Sequence, residues 1–114
     1  MKCSFLILNK VECLDDLLLE LGNYGIHGAT ILSSEGMGRR LLKEDDDTLR
    51  FIGSLRQLLD PDREESKMLI CVLKDEQVPF FKQAVIDIVG DLREPDTGIM
   101  FTLPVDMIYG GSFE

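Results

Sequence analysis

The apolar positions of this chain change period several times, and each change marks an element. Cys3 to Leu8 is a continuous apolar run bounded by Asn9-Lys10, the pattern of a strand buried on both faces. From Glu12 to Asn23 the spacing becomes helical: Leu14, Leu17, Leu18 and Leu21 share one face, Asp15, Asp16 and Glu20 lie opposite, and Gly22 or Gly25 ends the helix. Ala29 to Ser34 reads as a second strand. Lys67 to Leu73 is another two-sided apolar run and so a central strand. Asp75-Glu76-Gln77, with Pro79 in the first turn, opens a second amphipathic helix whose face is Val78, Phe81, Val85, Ile88 and Leu92. After an Arg93 to Gly98 turn, Ile99 to Ile108 reads as a last strand, in which Pro104 fits only an edge. Gly110-Gly111-Ser112 reads as a tail.

Between Arg40 and Ser66 the chain is polar, with Lys43-Glu44-Asp45-Asp46-Asp47. It then carries Leu49, Ile52, Leu55, Leu58 and Leu59 at helical spacing up to Asp60-Pro61-Asp62. The order strand, helix, strand, connection with a short helix, strand, helix, strand predicts an α+β domain spanning 1–114. Its architecture is a ferredoxin-like βαββαβ sandwich, an antiparallel four-stranded sheet with both long helices on one face. Strands apolar on both sides then need cover for the helix-free face, which predicts a homo-oligomer packed sheet to sheet.

Composition narrows the partners. A formal net charge of −9 over 114 residues argues against a nucleic-acid or anionic membrane surface. Cys3, Cys13 and Cys71 are odd in number and form no C-x-x-C pair, which suits reduced thiols in a cytoplasmic protein. The first apolar run is too short for a signal peptide or a membrane span.

The strongest chemical signal is Gly36-Met37-Gly38-Arg39-Arg40 after the second strand. Two glycines permit a loop with φ > 0 that presents its N–H groups, and two guanidinium forks match phosphate or carboxylate oxygens. His27, the single histidine, has no nucleophile or carboxylate patterned toward it. The Glu44 to Asp47 run lacks calcium-loop spacing, and Asn9-Lys10-Val11-Glu12 is not the phosphate cradle of an acylphosphatase. No catalytic constellation is predicted, and no metal site.

Taken in order, Leu14-Asp15-Asp16 before the second strand, Gly36-Met37-Gly38-Arg39 after it, a long connection over 39–65, and Gly98-Ile99-Met100-Phe101 opening the last strand resemble the PII signalling protein superfamily. The resemblance implies a non-enzymatic homotrimer that binds an adenine nucleotide (ATP, ADP or AMP) between subunits. It also implies that the 39–65 connection acts as a T-loop, docking on a target enzyme or transporter without membrane insertion. The ligand positions it implies are Ile7, Gly28, Thr30, Gly36, Gly38, Arg39, Arg40 and Gly98. The chain departs from the pattern at three usually basic positions, Ile99, Gly110 and Ser112. A charge-assisted hydrogen bond contributes on the order of 1.5–3 kcal/mol, so these losses favour an effector smaller than ATP. The connection also lacks the modifiable tyrosine of the family. The alternatives are a CutA-like trimer tolerant of metal ions and a ligand-free scaffold of the same fold.

Overall fold

The computed structural model describes residues 1–43, 63 and 65–112. Four strands form one antiparallel sheet: β1 (Lys2–Leu8), β2 (Ala29–Ser34), β3 (Ser66–Leu73) and β4 (Gly98–Pro104), in the spatial order β2-β3-β1-β4. Helix α1 (Leu14–Asn23) links β1 to β2 after a single 3-10 turn at Val11–Cys13, α2 (Met37–Lys43) follows β2, and α3 (Val78–Ile88) links β3 to β4. This is the α+β sandwich that the hydrophobic periods predict, with β1 and β3 central.

Register explains why the central strands are apolar on both sides. Leu6 pairs with Leu69 and with Met100, and Ser4 with Cys71 and Thr102. These residues face α1 and α3, where Leu17, Leu21, Phe81, Ala84 and Val85 complete the core. The intervening residues form three cross-strand rows on the opposite face. They are Thr30–Ile70–Phe5–Phe101, Leu32–Met68–Ile7–Ile99 and Val72–Cys3–Leu103. Neither α1 nor α3 covers this second face. Ile99, Phe101 and Leu103 are 56%, 41% and 51% exposed on it, and the rings of Phe5 and Phe101 stack at 5.0 Å.

The ends of the elements follow from local chemistry. Gly25, at φ +79°, closes α1 in a Schellman arrangement: Ile26 N–H donates to the Leu21 carbonyl and Gly25 N–H to Gly22, while Ile26 and Leu21 join the same core. Gly90, at φ +98°, stops the chain after α3 by donating to the Ile86 carbonyl, so Leu92 packs on the core from beyond the helix. Gly98 is required by contact: a Cβ there would lie 2.5 Å from the Ile7 carbonyl oxygen.

Three expectations are corrected. The last strand ends at Pro104 rather than Ile108, because β1 begins at Lys2 and the Val105 N–H to Met1 carbonyl bond exhausts its pairing. The glycine loop is not a loop. Met37 starts a helix, Arg40 N–H donates to the Gly36 carbonyl, and neither Gly36 nor Gly38 has φ > 0. The connection therefore begins as helix through Lys43. The helix expected over Thr48–Leu59 lies outside the described residues.

Candidate functional site

The antiparallel topology places the ends of β1 and β2 beside the starts of β3 and β4. One charged side chain from next to each strand converges there: Glu12, Arg39, Arg63 and Asp96. Arg39 Nη1 donates to Asp96 Oδ1 at 2.9 Å, Nη2 to Oδ2 at 2.6 Å, and Nε to the Arg63 carbonyl at 2.9 Å. Arg63 Nη1 donates to Asp96 Oδ2 and to its backbone carbonyl, both at 2.9 Å, while Nη2 reaches Glu12 Oε1 at 2.7 Å. The side chains of Asp96 and Arg39 are 3% and 6% exposed, and that of Arg63 15%.

Two guanidinium groups thus share one buried carboxylate. Burial alone would lower the Arg63 pKa, but hydrogen bonds to Glu12 and Asp96 outweigh it and raise that pKa above the ordinary arginine value. Asp96 is the single non-glycine residue with φ > 0 among the described residues, at +57°, held between Pro95 and a tightly tied Thr97. The Thr97 hydroxyl donates to the Leu92 and Glu94 carbonyls, and the Thr97 carbonyl accepts from the N–H groups of Asn9 and Lys10. Aspartate tolerates the left-handed region better than most residues, and the ion pairs offset the remaining strain.

The positions drawn from the resemblance fall at two ends of the sheet. Gly36, Gly38, Arg39 and Arg40 lie at the end just described, with Gly98 two residues beyond Asp96 and its backbone against Ile7. Thr30 lies mid-sheet in the row of Ile70 and Phe5, and Gly28 immediately precedes β2 at the opposite end. There a cleft of about 590 Å³ is bordered by Gly28, His27, Lys74, Gln77 and Ser112. A single chain does not bring the two sets together. Arg40 is 67% exposed and stands 3.6 Å from Glu35. A second, more apolar groove of about 750 Å³ runs between α3 and β4, floored by Val85, Met100 and Thr102.

Sequence reasoning missed Asp96, Arg63 and Glu12. The signal that pointed toward Asp96 was the Pro-Asp-Thr-Gly turn, in which an acidic residue sits where backbone φ is free to turn positive. Among the described residues no three His, Cys, Asp or Glu groups converge as a metal site would need, and no helix is long and apolar enough to cross a membrane. No protein-family model matches this sequence, and no curated protein matches it.

Proposed function

We propose that this chain is a non-enzymatic regulatory protein of the PII-like kind. It works as a homotrimer joined through the helix-free sheet face, and senses a small anionic effector of the adenine-nucleotide class between subunits. The response passes to a target enzyme or transporter through the 39–65 connection. The observation that carries this reading is the apolar second face of the sheet, three cross-strand rows deep, with Ile99, Phe101 and Leu103 exposed at its β4 edge. Contiguous apolar patches of this kind mark association surfaces.

The two-ended distribution of ligand positions supports the same reading. Gly28 approaches the Gly36 to Arg40 end only if one subunit's sheet start lies against another's sheet end. Arg40, 67% exposed although 3.6 Å from Glu35, is one cation for the effector, and Arg39 can serve as another only by leaving Asp96.

Native mass spectrometry together with a thermal-shift series over ATP, ADP and AMP tests the proposal. A trimer stabilised by one of these nucleotides, with the response reduced in Arg40→Ala, is the expected result. A monomer at micromolar concentration that responds to none of them overturns it.

A further inference from the structure

Two guanidinium groups that converge on one carboxylate have the donor arrangement of a phosphate or carboxylate receptor. Oδ2 of Asp96 accepts from both Arg39 and Arg63, and Oδ1 accepts the second arm of the Arg39 fork. The occupant of that fork is a loop residue of the same chain, held in a backbone conformation that aspartate adopts at a cost.

We propose that Asp96 is an intramolecular stand-in for an oxyanion, so that the Arg39–Arg63 fork is a phosphate- or carboxylate-class binding site closed by its own chain. An external oxyanion that enters the fork releases the Glu94–Thr97 loop, and this release relaxes the positive φ at Asp96. The same step frees the start of β4 from the two residues that flank the connection, Arg39 on α2 and Arg63 before β3. Glu12, on the outer side of Arg63, stays paired in both states and keeps that guanidinium oriented. The inference deepens the effector reading given above and rests on it for its regulatory meaning.

The test is oxyanion rescue of Asp96→Gly, a change that removes the carboxylate and at the same time suits the left-handed backbone. Inorganic phosphate is expected to raise the melting temperature of Asp96→Gly saturably, by about 5–10 °C near saturation. Potassium chloride at equal ionic strength is expected to do little. Wild type should respond much less, and Arg39→Met added to Asp96→Gly should abolish the phosphate response. Equal responses of Asp96→Gly to phosphate and chloride overturn the proposal and leave the cluster as a structural ion pair. Should the variant fail to fold, refolding it in phosphate and in matched chloride decides the matter: recovery in phosphate alone supports the fork, and recovery in neither overturns it. This readout does not depend on subunit number, so a monomeric protein with a working fork and a trimer without one give different results.

Discussion

Arg39 and Asp96, 57 residues apart in sequence, meet in a two-pronged ion pair at 2.9 and 2.6 Å that is almost wholly buried. The pair fastens the first turns of α2 to the loop before β4, and Arg63 draws the chain that leads into β3 onto the same carboxylate. Three of the four strands are therefore joined at one end by side chains as well as by the ladder. Removing one member of such a group leaves a buried charge uncompensated. Arg39→Met is expected to lose about 3–5 kcal/mol of stability by urea unfolding, and Asp96→Asn a comparable amount. The double variant Arg39→Met/Asp96→Asn should fall well short of the sum of the two, because the second change removes a partner already lost.

How far these features were legible in the sequence depends on the reach of the interaction. The continuous apolar runs Cys3 to Leu8 and Lys67 to Leu73 identify β1 and β3, because a short run apolar on both sides is legible from its own residues. The 3.6-residue spacing of Leu17 with Leu21, and of Phe81 with Val85, identifies α1 and α3 for the same reason. The end of β4 was overreached: Val105 and Ile108 look strand-like, yet a strand needs a neighbour and β1 offers none beyond Met1. Gly36 and Gly38 misled because glycine's helix cost of about 1 kcal/mol is a weak prior that tertiary context overrides. Here that context includes a helix anchored through Arg39. The Arg39–Asp96–Arg63 cluster was invisible because its members meet only once the sheet is assembled.

Gly98 offers a second check on how β4 is seated. Alanine there would bring its Cβ to 2.5 Å from the Ile7 carbonyl oxygen, a distance that β1 and β4 can relieve only by moving apart. The Leu8–Gly98 and Ile7–Ile99 pairs would open, and the Arg39–Asp96 geometry with them. Gly98→Ala is expected to cost about 3 kcal/mol or more in thermal unfolding, far above the effect of alanine at Gly28, where nothing lies within 4 Å of the added carbon.

The helix-free face makes a prediction about mass. Phe101 stacks on Phe5 at 5.0 Å with an interplanar angle of 12° and remains partly exposed, so it sits where a second subunit would cover the pair. Phe101→Asp places a charge in that position, which would be desolvated by association, and is expected to dissociate the proposed trimer to monomers in native mass spectrometry. Leu19→Asp is the matched control: Leu19 is 69% exposed on α1, away from the sheet, and its substitution should leave the mass unchanged. Dissociation by both variants, or by neither, removes the face as the site of assembly.

Cys71 gives the fold a distinct sensitivity to alkaline pH. Its thiol is buried on the helix-covered face of β3, and burial, with a smaller contribution from Cys3, pushes its pKa up from 9.0 to about 11. The folded state therefore holds the proton more tightly than the unfolded chain does. The associated stability is fully present below pH 9 and is lost as pH rises toward 11, up to roughly 2–3 kcal/mol. Cys71→Ala should flatten the fall in stability between pH 9 and 11, set against the stability that it loses at every pH through the cavity. At neutral pH a thiol reagent is expected to modify the partly exposed Cys13 readily, and Cys71 only as fast as the protein unfolds. Fast modification of Cys71 under native conditions would place β3 nearer to solvent than the core between Leu69, Phe81 and Val85 allows.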